Sequence, residues 1–293
     1  MTNNKKTYTY TAPAKINIGL DVIRKREDGY HDLKMIMQTL SLHDTLTFDV
    51  EKDKPYNLTM TCSNTELPVD DGNLVVKAIN MLAEEFNINA DIKVHLEKRI
   101  PVAAGMAGGS TDGAAAFIAI NEIFELGLSK EELMKRAVKL GADIPYCIMK
   151  GTALSEGIGD ILTLVAPLKD AYYLIVKPPI NVSTGFVYGN LKITGETIHP
   201  DIDGIITAMD NNDAKTVGAL LGNVLETVTV PAYPVIDEIK KIMLENGAAG
   251  SLMSGSGPTV FGIYENEDAA NDACEICKER FVEAFCEVCT ADM

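Results

Sequence analysis

The chain has 293 residues, 46% of them hydrophobic, and a formal net charge of −16. This length allows a large core and two domains, and the acidic charge argues against nucleic acid or an anionic membrane surface as a partner. No apolar run approaches the roughly 18 residues of a membrane span, and no signal-type apolar core follows the N-terminus, so we expect a cytoplasmic protein.

The first predicted strand runs from Lys15 to Leu20. Its alternation places Ile16, Ile18 and Leu20 on one face and Lys15 and Asn17 on the other. Further elements follow in chain order: a turn at Asp28-Gly29, a strand over residues 40–50, a helix over 73–86 and a strand containing Ile92, Val94 and Leu96.

A glycine-rich loop, PVAAGMAGGST over residues 101–111, leads into an Ala-rich helix predicted from Gly113 to Phe124. Glycines at 105, 108 and 109 let a ligand approach the bare main chain, and the N-terminus of a helix favours an anion. The loop therefore predicts a phosphate site, with Lys15, Lys98, Arg99 and the basic run 24–26 as candidate cations. The alternative is an ordinary turn capped by Ser110 or Thr111. The loop is not a Walker A motif, because it lacks the Gly-Lys-Ser/Thr ending.

The remaining elements mix helices and strands without steady alternation, which indicates the α+β class. A capping box, Ser129 with Glu132, opens a helix that we expect to end at Gly141. Beyond it we predict a strand over 172–176, helices over 183–191, 202–209, 214–221 and 234–245, a Gly/Ser loop, a strand over 259–264, a helix over 270–281 and a final strand.

Cysteines form two CxxC pairs, Cys274/Cys277 and Cys286/Cys289. Structural zinc is one interpretation. We favour buried thiols and no bound metal, because the pairs lie close together and Cys274 and Cys277 share one face of a predicted helix.

Three ordered segments resemble the motifs of the GHMP kinase superfamily: PAKINIGL, the glycine-rich loop, and SGSGPTVFG near the C-terminus. The resemblance implies a two-domain α+β fold. An N-terminal ATP domain of the ribosomal-protein-S5-domain-2-like type would span residues 1–167, and a C-terminal ferredoxin-like α/β-sandwich domain would span 168–293. The segments RKREDGYHDL, LGADIPY, EGIGDIL and VSTGFVY resemble one branch of the superfamily, which phosphorylates a cytidyl diphosphate alcohol in non-mevalonate isoprenoid precursor synthesis.

The resemblance implies transfer of the ATP γ-phosphate to a substrate hydroxyl, with ATP and Mg²⁺ as cofactors. Asp143 matches the catalytic base and Lys15 the second catalytic residue, whose ammonium would stabilise the transferring phosphoryl group. The residues alone favour a helix cap before Pro145 for Asp143, and a solvated lysine on a strand for Lys15.

The other implied site residues fall into two sets. The ATP-binding set is Asn73, Lys98, Pro101, Ala104, Gly105, Met106, Ala107, Gly108, Gly109, Ser110 and Thr111. The substrate-binding set is Asn17, Tyr30, His31, Thr184 and Tyr188, in which the tyrosines would stack on cytosine and His31 would bind its edge. No protein ligand for the metal is predicted.

The loop departs from the usual wording of the family. Thr111-Asp112 stands where Ser-Asn is common, and Ala103, Ala104 and Ala107 replace glycines. Two other functions remain open: a GHMP kinase of the homoserine or mevalonate type, and a catalytically silent nucleotide sensor of the same fold. For partners we expect ATP and a small cytidyl diphosphate substrate, no nucleic acid, no membrane, and a monomer or weak homodimer.

Overall fold

The computed structural model describes residues 5–292, so residues 1–4 and 293, at the two ends of the predicted domains, lie outside it. The strands are β1 (Lys5–Lys25), β2 (His31–Lys52), β3 (Asn57–Cys62), β4 (Ala90–Glu97), β5 (Thr152–Gly157), β6 (Ile161–Leu164), β7 (Tyr172–Lys177), β8 (Gly250–Met253), β9 (Val260–Tyr264) and β10 (Phe285–Thr290). The helices are α1 (Leu74–Glu85), α2 (Gly108–Ile123), α3 (Lys130–Ala137), α4 (Ile144–Met149), α5 (Thr184–Asn190), α6 (Ile202–Asp210), α7 (Ala214–Leu220), α8 (Glu226–Ala232), α9 (Val235–Glu245) and α10 (Glu267–Arg280). None of the helices within residues 5–292 is long and apolar enough to cross a membrane.

The chain divides into two compact units whose segments interleave in the sequence. Among the described residues, the first unit comprises 5–14, 42–100 and 107–149, and the second comprises 15–41, 101–106 and 150–292. The α+β class is confirmed by this mixture of sheets and helices. The domain boundary between residues 167 and 168, which was expected from the sequence, stays a prediction.

In the first unit, helices α1 and α2 pack together. Helix α1 buries Val75, Ile79 and Leu82, a spacing that places all three on one face. Glycine and alanine along α2 allow the close approach, since a Cβ on Gly113 would meet the Leu74 Cβ at 3.2 Å. Residues 45–52 of β2 pair antiparallel with β4, and β3 pairs with β4 in parallel.

In the second unit, a four-stranded sheet has the order β10-β7-β9-β8. Its central strands β7 and β9 are almost entirely buried, because helices α9 and α10 also pack on this sheet. Residues 33–38 of β2 pair antiparallel with β5, which pairs with β6. The turn at Asp28-Gly29 is confirmed: the Arg26 N–H donates to the Tyr30 carbonyl at 2.8 Å, and Gly29 has a φ of 89°.

Several predicted boundaries are wrong. Strands β1 and β2 are far longer than residues 15–20 and 40–50, and the helix opened by the Ser129 capping box ends at Ala137 rather than at Gly141. Helix α2 begins at Gly108, five residues before the predicted Gly113. Helix α8 and strands β3, β5, β6 and β8 were not expected.

Candidate active site

The glycine-rich loop ends in an uncapped helix N-terminus. Ala107 precedes α2 with a φ of 56° and makes no side-chain capping bond. Ser110 and Thr111 lie inside the first turn, so the alternative in which one of them is the N-cap is wrong. The first N–H groups of a helix have no intrahelical partner, and here no side chain of the cap residue satisfies them. These N–H groups and the helix dipole form a site that suits a phosphate.

The loop backbone is held in an uncommon conformation. Ala103, Gly105 and Ala107 all have positive φ values, of 52°, 71° and 56°. Such a conformation costs alanine roughly 1–3 kcal/mol and persists where the surroundings impose it, typically at a ligand site. Gly105 is required for a second reason, since a Cβ there would lie 2.3 Å from the Ser254 carbonyl oxygen. The neighbouring Ala104 and Met106 are buried, so this loop offers a ligand its backbone more than its side chains.

Lys98 lies below the first turn of α2, in a buried cluster with two carboxylates. Its Nζ forms an ion pair with Asp44 and donates to the Asp112 Oδ2 at 2.9 Å. A Cβ on Gly108 would lie 3.2 Å from the same Nζ. Burial disfavours the ammonium, but the carboxylates of Asp112 and Asp44 outweigh it and raise the pKa of Lys98. Lys98 is therefore a charged residue close to the glycine-rich loop over residues 101–111, called the phosphate loop below. Its ammonium group is already paired with carboxylates.

The two carboxylates of this cluster differ in how well they are satisfied. Asp44 Oδ1 accepts from the backbone N–H groups of Arg99 and Ile100 at 2.5 and 2.8 Å. Asp112 Oδ1 is buried without a hydrogen-bond partner in the described chain. Burial raises the pKa of the Asp112 carboxyl to about 8, against the opposing effect of Lys98. Asp112 is thus the residue that carries the electrostatic cost of the cluster.

Asn73 caps helix α1 through its side-chain oxygen, and its amide nitrogen binds the preceding turn. Its Oδ1 accepts from the Val75 N–H at 2.9 Å, and its Nδ2 donates to the Pro68 carbonyl at 2.8 Å. The cap explains why the helix starts where the sequence predicted. Its role toward ATP stays a prediction, as does that of Pro101 and Gly109.

Asp143 immediately precedes the short helix α4 in the first unit. Its carbonyl accepts from the Cys147 N–H at 3.1 Å, which starts the helical turn. Among the hydrogen bonds and ion pairs of residues 5–292, none involves its carboxylate. The carboxylate is therefore not used as a cap, the alternative that its position before Pro145 had left open.

In the second unit, Lys15 and Asn17 form a buried pair on β1. Lys15 Nζ donates to Asn17 Oδ1 at 2.8 Å, and Asn17 Nδ2 contacts the Met35 sulfur at 3.3 Å. Lys15 is 6% exposed and Asn17 is fully buried. The alternative of a solvated strand lysine is therefore wrong, since a lysine this buried normally has a specific partner.

The third motif forms a loop that contacts the other candidate segments of the second unit. Ser254 Oγ donates to the Gly105 carbonyl at 3.0 Å and accepts from the Asn17 N–H at 3.3 Å. Ser256 Oγ lies 2.9 Å from Thr184 Oγ1, at the start of α5. One loop thus connects the phosphate loop, the strand with Lys15, and the helix with Tyr188.

Two of the three residues predicted to bind cytosine lie together. The rings of His31 and Tyr188 are 5.0 Å apart between centroids and tilted by 44°. Tyr30 precedes His31 at the end of the turn and is 60% exposed. Burial, and secondarily Lys25, lower the pKa of His31, which favours the neutral form of its ring. A neutral imidazole has one donor and one acceptor, as a base edge requires.

Sequence reasoning missed two polar contacts of the second unit. Asn223 Nδ2 donates to the carbonyls of both Met253 and Gly255 at 2.8 Å. His199 lies 2.7 Å from Asp21, Nδ1 to Oδ1. Both partners lie far away in the sequence, so no local pattern could have indicated either contact.

The CxxC cysteines are in the reduced form, and Cys274, Cys277 and Cys289 are buried. Burial raises the pKa of Cys277 to about 11 and that of Cys286 to about 12. These thiols stay protonated at neutral pH. No group of three or more His, Cys, Asp or Glu side chains that could hold a metal occurs between residues 5 and 292.

Comparison with known families agrees with these features. Residues 73–151 match the family described as GHMP kinases N terminal domain, and residues 205–283 match GHMP kinases C terminal. The chain belongs to the GHMP kinase family, and the predicted two-domain GHMP fold is confirmed.

Within this family, the chain is similar to proteins named 4-diphosphocytidyl-2-C-methyl-D-erythritol kinase. The one from Lachnoclostridium phytofermentans is 50% identical over 262 residues, 89% of each chain. The one from Lachnospira eligens is 51% identical over 258 residues, 88% of this chain and 89% of its own. A crystal structure of 4-(cytidine 5'-diphospho)-2C-methyl-D-erythritol kinase has a TM-score of 0.81 at 28% identity, covering 97% of this chain and 100% of its own. Homoserine kinase from Cytophaga hutchinsonii shares the fold, with a TM-score of 0.79 at 20% identity over 99% of this chain and 96% of its own.

Proposed function

We propose that the protein transfers the γ-phosphate of ATP to the 2-hydroxyl of 4-diphosphocytidyl-2-C-methyl-D-erythritol, a step of non-mevalonate isoprenoid precursor synthesis. The observation that carries this proposal is the similarity over nearly the whole chain to kinases of that name, at about half of all positions. The contact between His31 and Tyr188 supports it, because these are the residues expected at the cytosine.

The phosphates of ATP would bind at the first turn of α2. The backbone at half-buried Gly108 and exposed Gly109, the uncapped helix end and the left-handed loop conformation all suit an anion. Lys98 would not contact the phosphates directly, because its ammonium is already paired with Asp44 and Asp112. The other ATP-binding residues named from the sequence keep these roles as proposals.

Lys15 and Asp143 would carry the chemistry. Asp143 would accept the proton of the attacking hydroxyl, since its carboxylate has no other hydrogen bond in the described chain. Lys15 would stabilise charge on the transferring group, and Asn17 would fix the direction of its ammonium through their 2.8 Å bond.

Mg²⁺, when bound, would neutralise phosphate charge. It is usually held by the phosphates, water and one or two carboxylates, so the small number of acidic side chains near the loop is compatible with it.

Substrate selection would come from the second unit. Tyr188 and Tyr30 would stack on the cytosine, and neutral His31 would bind its edge. Thr184, positioned by Ser256, would contact the remainder of the substrate. Stacking tolerates every base, so discrimination must come from the hydrogen bonds of His31 and its neighbours.

The experiment is an ADP-release assay on the cytidyl substrate, its uridyl analogue, homoserine and mevalonate. We expect kcat/KM for the cytidyl substrate to exceed that for each of the other three by at least about 10²-fold. A preference for homoserine or mevalonate would make this another GHMP kinase. ATP binding without turnover of any alcohol would favour the sensor alternative.

We also expect the protein to be cytoplasmic and to be a monomer or a weak homodimer.

A further inference from the structure

We propose that Asn223, which lies outside the three motifs of the family, is a positioning residue for the phosphate loop. It would act by fixing the backbone of residues 253–257, whose Ser254 holds the Gly105 carbonyl. The proposal rests on the proposed function only in taking ATP as the phosphoryl donor.

Asn223 is placed to control this loop because it binds two carbonyls that flank Ser254. Its two amide N–H groups reach the carbonyls of Met253 and Gly255, and its Oδ1 accepts from the Leu225 N–H at 2.9 Å. Asn223 is buried, so these bonds are not exchanged for water. The amide thereby fixes the carbonyl directions on both sides of Ser254.

A second side chain of the same segment binds the same loop. Glu226 Oε1 accepts from the Met253 N–H at 2.9 Å, and its Oε2 forms a 2.6 Å ion pair with Lys240. The turn and helix after Gly222 therefore provide two of the contacts that set the position of β8 and the loop after it. Neither residue was a candidate from the sequence.

The path from Asn223 to the phosphate loop passes through Ser254. This hydroxyl is fully buried and cannot reach a ligand in solvent, yet it donates to the Gly105 carbonyl at 3.0 Å. Gly105 has a φ of 71°, and the two backbones are so close that a Cβ on Gly105 would overlap the Ser254 carbonyl. Packing this tight leaves little room for the loop at 254–257 to move without moving Gly105.

The same hydroxyl accepts from the Asn17 N–H on the strand that carries Lys15. A change at Asn223 should therefore affect phosphoryl transfer although Asn223 contacts neither reactant. Displacements of about 1 Å at remote positions can cost on the order of 10²-fold in rate.

The test compares Asn223→Asp with a matched control, Asn121→Asp. Aspartate keeps the Oδ1 acceptor and removes the amide donor in both. Asn121 braces a loop in the same way, donating to the Leu128 carbonyl and accepting from its N–H, each at 3.0 Å, but that loop contains no candidate site residue. The readouts are the affinity for ATP by calorimetry, kcat/KM for ATP with the cytidyl substrate, and the melting temperature.

We expect Asn223→Asp to lower ATP affinity and kcat/KM for ATP by about 10- to 100-fold when measured on fully folded protein. In the Asn121→Asp control, both quantities should stay within about threefold of the wild type. Ser254→Ala should give a similar loss, and combining it with Asn223→Asp should add little, because both act on one contact. If the buried aspartate prevents folding, Asn223→Ala replaces it in the same comparison.

Two results would overturn the inference. One is an Asn223 variant that loses melting temperature but binds ATP and turns over like the Asn121 control. The other is full additivity with Ser254→Ala. ATP binding needs no alcohol, so this test remains decisive even if the wild-type chain fails to phosphorylate the cytidyl substrate, which would refute only the proposed function.

Discussion

The replacement Asp112→Asn should stabilise the protein increasingly as the pH rises. In the folded chain, burial raises the pKa of Asp112 from 3.8 to about 8, and its Oδ1 has no partner among the described residues. Between these two values the folded state binds a proton that the unfolded state has released. The free energy of unfolding of the wild type therefore falls as pH rises through this window, and asparagine lacks the effect.

One proton limits the slope to about 1.4 kcal/mol per pH unit. Because the amide can still accept from Lys98, which keeps Asp44 as its counter-ion, we expect a gain over the wild type of about 1–3 kcal/mol between pH 5 and pH 8. Urea unfolding followed by circular dichroism at several pH values measures it.

The matched comparison is Asp44→Asn, in the same cluster. Asp44 is satisfied by Lys98 and by the N–H groups of Arg99 and Ile100, so its replacement should destabilise the protein by about 3 kcal/mol or more at every pH. Parallel stability curves for Asp112→Asn and the wild type between pH 5 and pH 8 would refute the assignment of the electrostatic cost to Asp112.

Four further predictions concern the site and the cysteines. Asp143→Asn should still bind ATP while turnover falls ~10²- to 10⁴-fold, and near wild-type turnover at saturation would leave it without a catalytic role. Tyr188→Ala should lower kcat/KM for the cytidyl substrate by about 5- to 150-fold with ATP affinity unchanged, whereas an equal ATP defect would contradict its place at the base. Because the pKa of His31 lies below its usual 6.5, the KM for that substrate should rise only at more acidic pH, and His31→Gln should abolish this rise. Elemental analysis should find no stoichiometric zinc with Cys274 and its neighbours, and one zinc per chain would overturn the thiol interpretation.

Sequence patterns correctly predicted those elements whose ends or faces are set by residues adjacent in the chain. Helix α1 lies between its N-cap Asn73 and its C-cap Phe86, and α3 opens with the complete Ser129 capping box, because capping depends on residues adjacent in the chain. The alternation of β4 was equally clear, with one face buried and the other exposed.

The signals failed where tertiary contacts override local preference. Strand β1 is buried on both faces over residues 12–22, so the alternation between 15 and 20 indicated only part of its length. Helix α2 begins among glycines at Gly108, because packing rather than propensity holds its first turn.

The candidate site could be predicted only as a set of residues. Motif wording identified Lys15, Asn17, His31 and Tyr188, and the structure brings them together in the pairs Lys15–Asn17 and His31–Tyr188. The paired state of Lys98 could not be foreseen, since Asp44 is 54 residues away in the chain.

The most direct test of the proposed function is analysis of the product by phosphorus NMR and mass spectrometry. Wild-type protein, ATP, Mg²⁺ and 4-diphosphocytidyl-2-C-methyl-D-erythritol should yield ADP and one new phosphate monoester in equal amounts, with the phosphate on the 2-hydroxyl of the methylerythritol. ADP without a phosphorylated cytidyl product, or a phosphate at another position, would contradict the proposal.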